Sequence, residues 1–270
     1  MGYSTEKSIN GVLLNVSMLK YAIITVSLPA VSLFVCFVTA FLWRFDDVND
    51  TQCNVTNFIP SISAVTGITP QTYLWRVGVA LHSTPRFIVA IMYYNYYASR
   101  IDNISKKYQN LYSKVMRLNF WLNIIENSSL VGVTYITNRE NYPVHEKIFI
   151  VFMVASLCYM LVNTILFRWS RSSNVLKGDE LYSYTWKKIM FVSICSATIG
   201  LLYFFYLHRR FCEPGAFSWF SFCEYVIAYT NMGYHLTAYY EFQDHTIMCA
   251  SAASSQTNGT LLQNTDKKKK

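Results

Sequence analysis

The sequence predicts an all-α polytopic membrane protein with six transmembrane helices and both termini in the cytosol. Of its 270 residues, 53% are hydrophobic, 17% aromatic and only 14% charged, which is more apolar than an ordinary soluble domain. The apolar residues form six long runs, and the basic residues lie between these runs rather than on a soluble face. The formal charge of +8 is therefore no indication of nucleic-acid binding.

Each apolar run is long enough for one spanning helix, which needs about 20 residues. After a polar cytosolic N-terminus at 1–20, the predicted spans are 21–43, 74–98, 114–137, 147–169, 187–207 and 216–240. Helices are expected because each satisfies its own backbone hydrogen bonds in lipid. A cleaved signal peptide is the alternative for the first run, although no small-residue cleavage site ends it. The tail at 245–270 is rich in Ser, Thr and Asn and is predicted to be disordered.

The basic residues predict the orientation of the spans. Fifteen of the 23 Lys and Arg residues lie in the N-terminus, the tail, and the connections after the second and fourth spans, while five lie in the other connections. Basic connections stay in the cytosol, so the first connection, 44–73, is exoplasmic. It contains Asn54-Val55-Thr56, which predicts N-glycosylation of Asn54.

Cysteine placement predicts one disulfide and no metal site. Among the seven cysteines, Cys53 and Cys212 fall in exoplasmic connections, where the compartment is oxidising enough to join them. Two unrelated buried thiols are the alternative. No C-x-x-C pair and no His/Cys cluster occurs at metal-ligand spacing, so no metal or cofactor is expected. The chain ends in four lysines, which suit either a dilysine retrieval signal or a basic patch on anionic lipid.

The second span is the first candidate for a functional segment, because it carries ionisable groups that are costly in lipid. His82 and Arg86 are four residues apart and share one helix face. Pro85 lies between them, removes a backbone donor and predicts a broken or kinked helix. Arg76 points elsewhere and suits an interfacial anchor.

Two further spans present one polar face each. In the third span the polar groups fall within a sector of roughly 100°, and in the sixth within roughly 40°; they are Asn119, Asn123, Glu126 and Asn127, and Glu224, Asn231 and His235. A rise of about 1.5 Å per residue puts His82, Glu126 and Glu224 at a common depth of roughly 12 to 17 Å below the exoplasmic surface. We expect one shared polar layer there.

Two questions about this layer stay open from the residues alone. Its groups either form a site or simply join the helices through hydrogen bonds. His145 and Glu146, at the start of the fourth span, either join the layer from the exoplasmic side or form a solvated helix start.

Several stretches resemble the post-GPI-attachment-to-proteins factor two family. The likeness extends over nearly all of the region from about Tyr21 to Asp244, and its motifs occur in order. They are Cys53-Asn54-x-x-Asn57-x-Ile59-Pro60-Ser61, Leu81-His82-Ser83-x-Pro85-Arg86-Phe87, Arg117-Leu118-Asn119-Phe120, Glu126-Asn127, His145-Glu146, Glu224-Tyr225, Thr230-Asn231-Met232 and His235. The resemblance implies a six-span Golgi protein that remodels the lipid of glycosylphosphatidylinositol (GPI)-anchored proteins, in the step that reacylates the lyso-GPI intermediate at sn-2 with a saturated chain. A dilysine end would favour the early Golgi or the endoplasmic reticulum.

Reacylation needs a base for a glycerol hydroxyl and donors for the oxyanion. We expect His82 to be the base, oriented by Glu126 or Glu224, with Arg86 or an amide as oxyanion donor. The other groups expected to bind the oxyanion or headgroup are Asn123, Asn127, Asn231 and His235. The expected partners are lyso-GPI, an acyl donor, membrane lipid and other remodelling proteins.

No familiar acyltransferase signature, such as a His followed four residues later by Asp or a G-x-S-x-G elbow, occurs in the chain. A non-catalytic protein that presents lyso-GPI to a separate acyltransferase is therefore the alternative. A channel or transporter is the weaker third reading, because neither an internal repeat nor a ring of like charges is evident.

Overall fold

The computed structural model describes residues 12–171 and 176–250. Within these residues, six long helices run alternately up and down a single bundle, joined by short helices and closed at one end by two strands. In chain order the elements are β1 (Val12–Ser17), α1 (Met18–Trp43), α2 (Phe45–Asn49), α3 (Ile62–Thr66), α4 (Gln71–Ala98), a 3₁₀ turn (Ile101–Asn103), α5 (Gln109–Tyr135), α6 (Asn138–Trp169), α7 (Gly178–Phe211), α8 (Ala216–Leu236), α9 (Ala238–Phe242) and β2 (Thr246–Ala250).

The long helices match the six apolar runs, and most of them extend beyond the predicted spans. Within the described residues, α1, α6 and α7 are long and apolar enough to cross a membrane. In contrast, α4, α5 and α8 carry the ionisable and amide groups singled out in the sequence. The fold is all-α apart from the two short strands, and apolar helices of this length are suited to association with membrane lipid.

Pro85 and Gly78 show how α4 is built and how it packs against α1. The predicted break at Pro85 is wrong, since α4 runs through Pro85 without interruption. The irregular backbone instead lies at Asn141, which has non-helical dihedrals near the start of α6. Gly78 of α4 lies directly against Ser32 of α1, and a side chain there would collide with it. These two small residues let α1 and α4 approach closely, as in other membrane helix pairs.

One end of the bundle, the disulfide end, is covered by the connection between α1 and α4. Cys53 and Cys212 form the predicted disulfide there, with their Cα atoms 5.4 Å apart. The hydroxyl of Ser218 accepts hydrogen bonds from the backbone amides of Phe58 and Ile59 at 2.7 and 3.2 Å. These bonds hold the connection and the following short helix, α3, against α8.

The opposite end, the strand end, departs from the prediction. Residues 246–250 lie in the segment predicted to be disordered, yet they form β2 and pair antiparallel with β1. β1 lies within the predicted polar N-terminus. Each strand supplies the backbone hydrogen-bond partners of the other. Because the two segments are far apart in the sequence, a local sequence pattern does not reveal this pairing. The four terminal lysines and the rest of the tail lie outside the described residues.

Disulfide formation can be checked by gel mobility. We expect the unreduced protein to migrate faster than the reduced protein, because the bond closes a loop between residues 159 positions apart. Cys53→Ser and Cys212→Ser should each abolish the difference. Cys158→Ser, which removes an exposed free thiol, should leave it unchanged. A difference that survives in Cys53→Ser would exclude this pairing.

Candidate functional site

The centre of the bundle contains a buried ionic cluster built on Glu126 of α5. The Oε1 atom of Glu126 lies 3.1 Å from Arg86 Nη2 of α4. It also accepts a hydrogen bond from Asn231 Nδ2 of α8 at 2.6 Å and lies 3.0 Å from His235 Nε2. Asn231 Nδ2 lies 2.7 Å from Ser156 Oγ of α6 as well. The sequence prediction that these polar faces meet is therefore correct, and the cluster joins four helices.

The surroundings of this ionic cluster exclude a large ligand. Arg86 Nη2 also contacts His235 Nε2 at 2.6 Å, and the His235 ring stacks on Tyr159. The adjoining small cavity, lined by His82, Arg86, Asn123 and His235 among others, measures about 20 Å³. That is room for about one water molecule. A lipid headgroup does not fit there, so the predicted headgroup role of Arg86 has no space in this conformation.

The predicted contact between His82 and a carboxylate is wrong. His82 Nδ1 instead lies 2.7 Å from the backbone oxygen of Thr25 on α1. A carbonyl oxygen only accepts, so Nδ1 donates and, in the neutral ring, Nε2 carries the lone pair. The helical angle of His82 was predicted correctly, but its Nδ1 bonds a backbone oxygen of α1 and not a carboxylate of α5 or α8. Angles within one helix do not reveal which neighbour lies opposite.

Glu224 also lies apart from the ionic cluster. Its Oε2 accepts a hydrogen bond from the backbone amide of Ile62 at 3.0 Å, at the first residue of α3. Glu224 therefore ties α8 to the connection at the disulfide end. The predicted single layer is in fact two adjacent groups of side chains, with Glu126 in the ionic cluster and Glu224 nearer the disulfide end.

An inner cavity of about 80 Å³ separates these two groups. Its polar lining combines residues from four elements, namely Ser63, Thr66, His82, His145, Glu224 and Asn231, and the rest of its wall is largely apolar. An outer cavity of about 200 Å³ adjoins it between α6, α7 and α8 and shares Ser63, His145, Phe149 and Glu224 with it. These two cavities bring His82, His145 and Glu224 to one space.

His145 and Glu146 join this space, so the solvated helix start is excluded for His145. His145 is buried; its Nδ1 donates to the backbone oxygen of Ile136 at 2.7 Å, and its Nε2 lies 2.8 Å from Ser63 Oγ. Glu146 lines the outer cavity.

The remaining amides have separate roles. Asn127 Nδ2 donates to the backbone oxygen of Ser83 at 2.9 Å, which joins α5 to α4. Asn123 lines only the small cavity among those described above, and its buried Oδ1 has no hydrogen-bond partner among the residues that the structure describes. Asn119 contacts Asn163 of α6 at 3.4 Å. Neither Asn123 nor Asn127 lines the inner or outer cavity.

Comparison with known proteins identifies the family. Residues 18–245 match the family model described as Frag1/DRAM/Sfk1/Cwh43P N-terminal domain. The chain is 49% identical over 229 residues to "Post-GPI attachment to proteins factor 2-like" of Drosophila melanogaster, covering 85% of this chain and 70% of that protein. It is 36% identical over 232 residues to "Acyltransferase PGAP2" of Xenopus tropicalis, covering 86% and 90%. The chain belongs to the post-GPI attachment to proteins factor 2 family.

A third relative has the same extent. "Post-GPI attachment to proteins factor 2" of Caenorhabditis briggsae is 33% identical over 244 residues, which cover 87% of this chain and 90% of that protein. No solved structure matches the chain. The match to the family model includes all of α1 to α9, and so contains both the ionic cluster and the two cavities.

A second buried ion pair was missed by sequence reasoning. Lys187 Nζ of α7 lies 2.7 Å from Glu241 Oε1 of α9, and both side chains are almost fully buried. Thr237, Tyr93 and Ser183 complete the hydrogen bonds of this pair. Lys187 was counted as a charge of a cytosolic connection and Glu241 was not considered. The available signal was a lone acidic residue next to the sixth apolar run.

Ser63 was also missed, because it lies in the first connection and not in an apolar run. Pattern analysis of helix faces does not reach such residues. The only signal was its place two residues beyond the Ile59-Pro60-Ser61 stretch that resembles the family.

Glu126→Gln should destabilise the protein strongly. The substitution leaves Arg86 buried without its counter-charge, which in other proteins costs about 3–5 kcal/mol. Glu140→Gln is the matched control: Glu140 forms an exposed ion pair with Arg76 at 2.8 Å, and exposed pairs contribute little. Thermal unfolding in detergent measures both. Equal melting temperatures for the two variants would contradict a stabilising role for the ionic cluster.

Proposed function

We propose that this protein reacylates lyso-GPI at the sn-2 position with a saturated chain, within the fatty-acid remodelling of GPI-anchored proteins. Membership of a family whose relatives include "Acyltransferase PGAP2" supports a role in this process. The observation that carries the finer proposal is the inner cavity, which joins a histidine with an available Nε2 to an apolar outer cavity. Acyl transfer needs both a base and a compartment for a hydrocarbon chain.

The substrates follow from this proposal. The acceptor is the free glycerol hydroxyl of a lyso-GPI lipid, and the donor is an acyl ester. The outer cavity suits an acyl chain because it is lined by apolar side chains such as Leu201, Phe205 and Phe220. Two of its residues, Ile150 and Leu202, are 54% and 61% exposed on the apolar surface. A chain can therefore enter from the surrounding lipid between α6 and α7.

His82 is the proposed base for the acceptor hydroxyl. The hydrogen bond from Nδ1 to Thr25 fixes the ring and leaves Nε2 to take a proton. Glu224 is proposed to act next to it in the inner cavity by positioning α3 through the Ile62 amide. Glu126 is then a positioning residue and not an acid or base, since its contacts are to Arg86, Asn231 and His235.

The proposed topology has six spans with both termini in the cytosol, a cytosolic N-terminus at 1–20 and a cytosolic tail at 245–270. The basic connections support it, and so does the disulfide between Cys53 and Cys212, which suits an oxidising compartment. Asn54 is exposed and has a positive φ of 48°, which Asn tolerates better than most residues. The proposed location is the Golgi membrane, with retrieval to the endoplasmic reticulum if the terminal lysines are read as a signal.

A scaffold that presents lyso-GPI to a separate acyltransferase is the second candidate. The observation in its favour is that the ionic cluster is closed to ligands and holds four helices together. The most strongly polar group of the bundle is thus explained by packing alone, without any catalytic role. Such a protein would use the same two cavities for the lipid without needing the His82 base.

Glycosylation tests the proposed orientation. With residues 44–73 exoplasmic, the protein expressed in cells should carry one glycan that a peptide N-glycosidase removes. Thr56→Ala destroys the sequon while keeping Asn54 in its left-handed conformation, and should abolish the mobility shift. Thr56→Ser keeps the sequon and should retain it. Absence of the shift in both the wild type and Thr56→Ser would contradict this assignment.

Turnover tests the proposed chemistry. Purified protein in liposomes with lyso-GPI and an acyl donor should form diacyl GPI. His82→Ala should lower the rate on the order of 10²- to 10⁴-fold, the usual contribution of a general base, and leave lyso-GPI binding intact. His245→Ala, at the exposed strand end, is the control and should be fully active. No turnover with any donor, with binding retained, would favour the scaffold.

A further inference from the structure

Ser63 and His145 form a hydrogen-bonded pair that the proposed role of His82 does not use. Ser63 Oγ lies 2.8 Å from His145 Nε2. His145 Nδ1 lies 2.7 Å from the backbone oxygen of Ile136. Because that oxygen only accepts, Nδ1 donates to it and the neutral ring presents its lone pair at Nε2 to the serine hydroxyl. The serine hydroxyl therefore donates to the base, with the ring held in one tautomer by a third group.

This is the arrangement that activates a serine nucleophile. A serine alone is a weak nucleophile, and an adjacent base that is itself oriented makes it reactive. In this protein the orienting group is a backbone oxygen at the end of α5 and not a carboxylate. No G-x-S-x-G elbow is needed, because α3 presents the serine directly beside α6.

The location of the pair suits a lipid ester. Ser63 and His145 line both the inner and the outer cavity. Ser63 is only partly buried while His145 is buried, so a substrate can reach the hydroxyl and the base is shielded. The apolar outer cavity lies on one side of the serine, and His82 lines the inner cavity on the other.

Surrounding contacts hold the serine in place. α3 has only five residues, too few to be stable alone. The Glu224 carboxylate binds the Ile62 amide, Ser61 caps the helix by accepting from the Ala64 amide at 3.1 Å, and the Tyr225 hydroxyl donates to the Pro60 backbone oxygen at 3.2 Å. These groups fix the residues on both sides of Ser63, as a preorganised nucleophile requires.

We infer that Ser63 is an acyl-carrying nucleophile, with His145 as its base, and that the reaction proceeds through an acyl-serine intermediate. The inference rests on the proposed function and adds a covalent step to it. The donor class is a diacyl glycerophospholipid of the surrounding leaflet, since the outer cavity adjoins the exposed apolar residues Ile150 and Leu202.

The two half-reactions balance. In the first, Ser63 Oγ attacks the donor carbonyl carbon while His145 Nε2 takes the hydroxyl proton; the donor C–O bond breaks, and His145 returns the proton to the departing glycerol oxygen. In the second, the lyso-GPI hydroxyl loses its proton to His82 Nε2, its oxygen attacks the acyl-serine carbonyl carbon, and the bond from that carbon to Ser63 Oγ breaks. The proton held by His82 then returns to Ser63 Oγ through the inner cavity that both residues line. Water has no part in either half.

Incubation with donor alone tests the first half-reaction. Wild-type protein in vesicles of distearoyl phosphatidylcholine with deuterated chains, without lyso-GPI, should gain one deuterated stearoyl group on the peptide that contains Ser63, as read by mass spectrometry. Ser63→Ala should carry no label. His145→Ala should label on the order of 10²-fold or more slowly. His82→Ala should still label Ser63 and should retain that label when lyso-GPI is added, because His82 serves only the acceptor.

Thr84→Val is the matched control. Thr84 is an exposed residue of α4 that lines none of the three cavities described above, and its hydroxyl donates to the Ala80 backbone oxygen of its own helix. This variant should label like the wild type. Ser63→Cys keeps a nucleophile and should form a thioester at the same position. The reduction-sensitive mobility shift of the Cys53–Cys212 disulfide confirms folding of every variant.

The outcomes separate the two proposals. A Ser63→Ala variant that transfers acyl chains to lyso-GPI at the wild-type rate, or a folded wild type that stays unlabelled while it turns over, overturns the acyl-serine. Labelling of Ser63 without transfer to lyso-GPI supports the acyl-serine and contradicts the proposed acceptor. Label from stearoyl coenzyme A but not from phosphatidylcholine overturns the assignment of the donor class.

Discussion

The Glu126 carboxylate is the group on which the packing of the bundle depends. An ionised group in an apolar interior is tolerated only when its charge is balanced and its hydrogen bonds are made. Arg86 supplies the charge, and Asn231 supplies a hydrogen bond from a different helix. The rotation and register of α4, α5 and α8 are therefore coupled, since a shift of α4 or α5 separates the ion pair and a shift of α8 removes a hydrogen bond to its carboxylate. Lys187 and Glu241 apply the same constraint to α7 and α9 at the strand end.

This constraint explains why the part of the site nearest the centre was predictable. Lipid-facing and buried positions differ sharply in a membrane helix, so polar residues on one face indicate the interior. The expected pairing of Arg86 with a carboxylate is consequently present, with Glu126 as the partner. Asn231 and His235 also reach Glu126, a contact that the angular alignment alone did not specify. The same reasoning placed His82 on the correct face but gave it the wrong partner, because the Thr25 backbone oxygen carries no sequence signal. Every residue has such an oxygen, and only packing decides which one is available.

The connection at the disulfide end shows where sequence reasoning stops. Its cysteine and its sequon were read from composition and compartment, and the disulfide is present. Ser63 was not found, because its importance comes from three distant residues, namely His145, Glu224 and Tyr225, that fix its position or contact it. A connection gains a defined structure here by binding polar groups at the helix ends. Hydrophobic periodicity predicts helices, which form their own backbone hydrogen bonds. Much of this connection is held instead by side chains of other elements, so periodicity does not detect it.

The inner cavity lies between the ionic cluster and the connection at the disulfide end. Its lining bears on whether a proposed acyl-serine would pass its acyl chain to lyso-GPI or lose it to water. An acyl-serine is an ester that water can also cleave, so a transferase must exclude water while the acceptor arrives. The wall of the inner cavity beside Ser63 includes Phe149, Phe152 and Ile227, and its volume of about 80 Å³ admits few water molecules. In the proposed reaction the lyso-lipid hydroxyl arrives with an apolar chain that would displace these water molecules, so an apolar surface that binds the lipid would favour acyl transfer over hydrolysis.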